Sequence, residues 1–213
     1  MSTAAQDARP ARRGRGRPRG QDSAVVRERS LHAAIDLIAH QGYAATSMAQ
    51  VAAAAGISPS GLAHHFPSKP ALLGAVLEHR DRLDHMPPAA EGDAPWRLFD
   101  ALVGLARQNM ERAELVLLYA SMVGEAVTED HPAHEWMLSH YAVTAESLIG
   151  GLRADQRTGH VRADAPVERI ARSMIALMDG LQLQWLLDPE VDMAAALAEH
   201  VEDLKRAWGT DPA

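Results

Sequence analysis

From Leu31 the chain repeats apolar residues at helical spacing. Leu31, Ala34, Ile35 and Ile38 fall at i, i+3, i+4 and i+7, one face of a helix that Gly42 ends. Two short helices follow. Ser47 and Gln50 fit an S/T-x-x-E/Q capping box that opens MAQVAAAA, and Gly56 stands where a left-handed C-terminal cap belongs. Ser58-Pro59 then supplies an N-cap and a first-turn proline for PSGLAHHF, and Ser68 opens a fourth helix through roughly Leu83. MPPAAEGDAP, from Met86, reads as a linker. Beyond it the pattern predicts helices at about 95–109, 111–128, 132–156, 166–187 and 192–207, separated by breakers such as Asp130-His131-Pro132, Thr158-Gly159 and Asp188-Pro189. No run alternates with period two, so the expected fold is all-α.

Composition agrees: 47% of the 213 residues are apolar and only 4% aromatic, a palette dominated by alanine and leucine that favours helix. The absence of cysteine excludes disulfides, thiolate metal sites and cysteine nucleophiles. The longest apolar stretch, LVLLYASMV from Leu115, is too short to span a bilayer, and no apolar segment follows Arg12-Arg13 as an export signal requires. The expectation is a soluble, cytoplasmic protein.

Charge changes the picture through its distribution. The formal net charge is −7, yet residues 1–70 carry nine Lys/Arg against four Asp/Glu, while residues 71–213 carry twelve against twenty-four. One end suits a polyanion and the other repels it. The front also holds RRGRGRPRG, five arginines in nine residues, within a stretch of Gly, Pro and Ala that cannot bury a core. Residues 1–21 are therefore expected to form a disordered basic arm, followed by a module at 22–85 and a larger helical domain at 86–213.

Two short helices joined by a glycine-containing turn, residues 47–65, make the helix-turn-helix arrangement, in which the second helix enters the major groove. That pattern is common among helical proteins, but its wider context is specific. GYAATSMAQVAAAAGISPSGLAHHFPSKPALLGAVLEHRD resembles the DNA-binding module of the TetR family of transcriptional regulators, through Gly42-Tyr43, Thr46-Ser47, Val51-Ala52, Ala55-Gly56-Ile57-Ser58, Leu62, His65-Phe66, Ser68-Lys69 and Leu72-Leu73 in order and at family spacing. HPAHEWM and IALMDGLQLQWLLDP resemble, more weakly, the ligand-binding half of one branch.

The resemblance implies a sequence-specific DNA-binding regulator, a ligand-responsive repressor that binds a palindromic operator as a homodimer, with the direction in which the ligand acts left open. It places Thr46, Ser47 and Lys69 against phosphates, and Ser58, Ser60, Gly61 and His64 on or beside the recognition helix. Thr46 has a plain alternative as a cap, and Leu62 and Phe66 read as core. Ala63 departs from the family, which often carries a tyrosine there that touches the DNA backbone. The core of the arm, Arg15-Gly16-Arg17-Pro18, resembles an AT-hook, which would lay Arg13, Arg15, Arg17 and Arg19 along a narrow minor groove; a solubility tail is the bland alternative.

For the second half the resemblance implies a pocket, with candidates Tyr119, Met122, Trp136, Tyr141 and Met178 and polar anchors Glu125 and Asp179. Met137 and Met174 are further candidates, and each residue has an ordinary core reading beside it. A dimer interface is expected from Leu181, Trp185, Leu197, Val201 and Leu204, whose spacing suits a four-helix contact or packing within one chain. His131, His134 and His140 lack metal-ligand spacing, and no nucleophile elbow, P-loop or acid pair appears, so neither a metal, a cofactor nor an enzyme is expected. The rival of another class is a helical enzyme or small-molecule carrier with a basic tail, and a third is an architectural DNA binder that uses the arm alone.

Overall fold

The computed structural model describes residues 19–84 and 94–210. Among these there are nine helices and no strand: α1 (Arg19–Ala45), α2 (Met48–Ala54), α3 (Pro59–His65), α4 (Lys69–Leu83), α5 (Arg97–Met110), α6 (Ala113–Glu125), α7 (His134–Arg157), α8 (Val167–Leu187) and α9 (Met193–Trp208). The all-α expectation holds. Helix α1 begins at Arg19, so the last residues assigned to the arm are helical. A helix anchored by Leu31, Ile35 and Ile38 extends outward readily, because each added residue gains an intrahelical hydrogen bond without a new nucleation cost. Arg13, Arg15 and Arg17 lie outside the described residues.

The punctuation read from the sequence is present as geometry. Gly42, with φ 80° and ψ 162°, breaks the run of α1 before its last three residues. Ser47 and Gln50 form both halves of the capping box. After α2, the Gly56 N–H donates to Ala53 O (3.0 Å) and the Ile57 N–H to Ala52 O (3.0 Å), a complete Schellman cap that needs the left-handed φ of 64° at Gly56. Ser58 accepts from the Gly61 N–H at 3.0 Å and opens α3, and Ser68 accepts from the Ala71 N–H at 3.2 Å and opens α4.

Two apolar cores result. Leu31, Ile38, Val51, Leu62, Phe66, Leu72 and Val76 close the first, and Leu118 and Met122 of α6 and Met137 of α7 join it. Helix α1 packs more extensively on α6 than on any other helix. The second core holds Phe99, Leu102, Leu148, Leu152, Met174, Leu197 and Val201 from α5, α7, α8 and α9. A single antiparallel bridge between Val161 and Gly209 ties the end of α9 to the α7–α8 turn. Trp96, at the start of α5, is the one described non-glycine residue with positive φ (62°); its N–H donates to Asp155 Oδ2 at 2.9 Å.

The residues expected at a dimer interface are inside the protomer. Leu197 and Val201 are 0% and 1% exposed, Leu181 and Trp185 are buried, and Leu204 is half-buried against the same core. Their spacing is that of a buried helix face, and α5 covers the one on α9. The apolar side chains that α8 leaves in solvent are instead Leu183 and Leu187.

Candidate functional site: a helix-turn-helix surface and a polar cavity

Helices α2 and α3 present a consistent outer surface. Ser47, Ser58, Ser60, Ala63 and His64 are exposed and Gly61 is half-buried, so these positions are open to solvent. Their hydroxyls are partly committed: Ser47 Oγ lies 2.8 Å from Gln50 Oε1, and Ser58 Oγ lies 3.0 Å from Ser60 Oγ. Thr46 differs from its expected role. Its side chain is 3% exposed, its hydroxyl donates to Gly42 O at 2.9 Å, and it accepts from Gln41 Nε2 at 3.1 Å. Thr46 therefore closes the break after α1 with its hydroxyl instead of offering it to a phosphate.

Lys69 is half-buried and anchored: Nζ donates to Ala44 O at 3.1 Å and lies 4.2 Å from the centre of the Tyr43 ring. This fastens the start of α4 to the last turn of α1 while keeping a cation beside the module's surface. Arg19 opens α1. Arg27, which the sequence reading missed, lies 5.3 Å over the Phe66 ring at the end of α3.

The second site is a cavity of about 370 Å³ between α4, α5, α6, α7 and α8. Tyr119, Trp136, Tyr141, Met178 and Asp179 line it, five of the seven candidates. Met122 does not: it is wholly buried in the first core, because the α6 face that carries it turns toward α1. Glu125 does not either. It sits at the end of α6, where Oε1 accepts from the Tyr43 N–H at 3.2 Å and Oε2 lies 3.4 Å from His131 Nε2. Further candidates Met137 and Met174 are core.

The cavity's polar wall is ordered by pairing. Asp179 accepts from the Tyr141 hydroxyl at 2.7 Å and the Tyr119 hydroxyl at 3.2 Å. The Arg80 guanidinium lies 4.0 Å over the Tyr119 ring, and its Nη2 stands 3.1 Å from Asp84 Oδ2. Asp81 accepts from the Trp136 indole N–H at 3.0 Å. His140 stacks on Trp136 with centroids 5.0 Å apart. Burial pushes the carboxyls of Asp81, Asp84 and Asp179 above the usual carboxylate range, and partly offsetting effects come from the donors just named and from Arg80. Burial, with a smaller push from Arg80, takes His140 down to about 4.

Sequence reasoning missed Arg80, Asp81 and Asp84. The run Arg80 to Asp84 ends a helix with charge and reads as a solvated terminus; only the i, i+4 spacing of Arg80 and Asp84 was a visible signal. The three noted histidines go separate ways: His131 faces Glu125, His134 Nδ1 lies 2.8 Å from Ala126 O, and His140 joins the cavity.

Similarity to known proteins covers both halves of the chain. The family of bacterial regulatory proteins, tetR family, matches residues 31–76, and the C-terminal domain of BetI-type transcriptional repressors matches residues 96–206. The HTH-type transcriptional regulator BetI of Rhizobium meliloti (strain 1021) is 30% identical over 180 residues, 82% of this chain and 85% of that protein. UidR, an HTH-type transcriptional regulator of Escherichia coli (strain K12), is 26% identical over 187 residues, 86% of this chain and 91% of that one. The fold matches the structure of the SmeT–triclosan complex with a TM-score of 0.72 at 19% identity, over 87% of this chain and 92% of that one. A helix-turn-helix module and a helical half with a partly open cavity are thus found in one chain, which belongs to the TetR family of transcriptional regulators and is a ligand-responsive repressor, not an enzyme.

Proposed function

We propose that the chain represses transcription by seating the recognition helix α3 of each of two protomers in half-sites of a palindromic operator, and that a small molecule in the α4–α8 cavity alters this binding. The observation that carries the reading is that one helix serves both sites. Helix α4 begins at Lys69, fastened to Ala44 O beside the helix-turn-helix, and contributes Arg80, Asp81 and Asp84 to the cavity a few turns later. A ligand that repositions Arg80 acts on the element that holds α2 and α3 in register. It shifts the equilibrium only by its differential affinity for the two arrangements.

In this reading residues 1–21 supply a basic arm and its junction with α1, residues 22–85 the DNA-binding module, and residues 86–213 the effector and dimerisation half. Ser47, Ser58, Ser60, Gly61 and His64 face the operator. Lys69 contributes charge from its anchored position, and Ala63 offers a methyl group in place of the family's tyrosine. Arg13, Arg15, Arg17 and Arg19 add minor-groove contacts. The second protomer docks on the face of α8 that carries Leu183 and Leu187, both exposed in the single chain. Among the described residues, no helix is long and apolar enough to cross a membrane.

The test is selection of bound sequences from a random DNA pool, followed by isotherms at several salt concentrations for the full chain and for a chain lacking residues 1–20. A palindromic consensus and a shallower salt dependence for the trimmed chain are expected, because fewer phosphates are neutralised. Sequence-blind binding that survives removal of residues 47–66 would instead make this an architectural binder that uses the arm alone.

A further inference from the structure

We propose that the cavity takes a small organic amine in its protonated form, one that keeps at least one N–H on the nitrogen and carries an oxygen acceptor nearby. This rests on the reading of the cavity as the effector site and names the chemistry of its ligand. Charge is the first argument. Three carboxylates, Asp81, Asp84 and Asp179, line the space against one guanidinium, Arg80. His140, held near 4 by burial, adds no positive charge at neutral pH. In this partly open site the surplus of negative charge still favours a cation and disfavours an anion.

The second argument is the pattern of unmet hydrogen bonds. Asp84 Oδ1 and Gln182 Oε1 are buried acceptors without a hydrogen-bond partner, and Arg80 Nη1 is a buried donor without one. The Asp84 side chain is 9% exposed and Gln182 is 3% exposed. Arg112 Nη1 lies 3.9 Å from Asp84 Oδ1 and donates to Leu83 O at 3.4 Å. Arg80 Nη1 has Asp81 Oδ1 only at 3.7 Å. A ligand that completes this wall brings N–H donors for two acceptors and one oxygen for the guanidinium.

The third argument separates an amine from a quaternary ammonium. A fully alkylated cation is recognised by open aromatic faces. Here one face of Tyr119 holds Arg80 at 4.0 Å and the Trp136 ring is stacked on His140. One face of each of these two rings is thus taken while the buried acceptors lack hydrogen-bond partners, the reverse of what an aromatic cage offers. Leu102, Leu105, Ile175 and Met178 supply the apolar wall for the ligand's hydrocarbon part.

The experiment is calorimetric titration of the full chain with four probes that share one phenyl ring and two-carbon chain: phenylethanolamine, its N-trimethylated form, phenylethanediol and mandelate. Each is then tested for its effect on DNA retention by a sequence selected from a random pool. Phenylethanolamine is expected to bind at least about tenfold tighter than the other three. Met178→Trp, which fills the cavity, should abolish that binding, and Asp84→Asn should erase the preference over the trimethylated form. Because the series is read on the unaltered chain, the outcome does not depend on either variant folding. Equal or tighter binding of the trimethylated or anionic probe, or no binding by any probe, overturns the assignment of ligand class; a release of DNA by one of those others leaves the effector reading standing. An amine preference with DNA retention unmoved by every bound probe overturns the effector reading and keeps the class.

Discussion

At His140 the environment dictates the chemistry. The ring stacks on Trp136, stands edge-on to Tyr119 at 5.6 Å, and has Asp81 Oδ1 at 3.8 Å and Arg80 among its neighbours. Its native pKa is about 4 against 6.5 for the free side chain, so the unfolded chain binds a proton first as pH falls. Stability present above about pH 6.5 is therefore lost as pH drops toward about 4, by on the order of 3 kcal/mol. The partly buried carboxylates Asp81, Asp84 and Asp179 act with the opposite sign, since their raised values mean that the native state binds protons first. The difference between the original chain and His140→Phe isolates the histidine: denaturant midpoints between pH 7 and 4.5 should fall less steeply in the variant, and parallel curves would refute the assignment. At Gly56 the constraint is conformational. Its φ of 64° closes the turn between α2 and α3 with open space around a Cβ, so Gly56→Ala should cost about 1–2 kcal/mol of stability through backbone strain alone, measured by urea unfolding. Both glycine and capping box were legible in the sequence because they act over a few residues; the histidine's surroundings come from α4, α6 and α7 and were not.

Among elements, α6 joins the two halves. Its C-terminal Glu125 accepts from the backbone of Tyr43 just after the Gly42 break, and Oε1 lies 2.8 Å from where a Cβ on Gly42 would stand. A side chain on Gly42 would therefore push this carboxylate away, which gives that glycine a second reason beyond its positive φ. Tyr43 in turn packs edge-on against His131 at 5.2 Å and carries Lys69 on its ring, so α1, α4, α6 and the α6–α7 turn meet at one point. Glu125→Ala should lower stability by about 1–2 kcal/mol, weaken the coupling between effector and DNA binding, and be largely rescued by Glu125→Gln, which keeps an acceptor oxygen. Unfolding curves and DNA isotherms with and without effector read both effects; an alanine variant as stable and as responsive as the original would remove the clasp from the account. Sequence periodicity located α6, yet Glu125 was expected in the cavity, because which face of a helix turns toward which neighbour is not encoded in its spacing.

For the whole molecule, assembly depends on what the protomer leaves uncovered. Leu187→Glu and Leu183→Glu place charge on an exposed face and should dissociate the dimer and weaken operator binding while sparing the fold, as read by sedimentation and circular dichroism. Leu197→Ala should instead destabilise each protomer by about 2–5 kcal/mol through a core cavity, whatever the oligomeric state. A dimer that persists in both charged variants would place the interface elsewhere. What the sequence alone determined is local or summed along the chain: the all-α class, the capped helix-turn-helix, the charge asymmetry between the two ends, and the order of motifs that marks the family. Caps, turns and helical periods involve residues a few positions apart, and net charge is additive. What only the tertiary structure decided is which faces meet. It turned Thr46 inward to cap α1, fastened Lys69 to Ala44, withdrew Met122 and Glu125 from the cavity, brought Arg80, Asp81 and Asp84 into it, and buried the α9 face that looked like an interface. Those outcomes depend on the relative rotation and crossing of helices distant in sequence, set by the packing of two shared cores and not by any short run of residues.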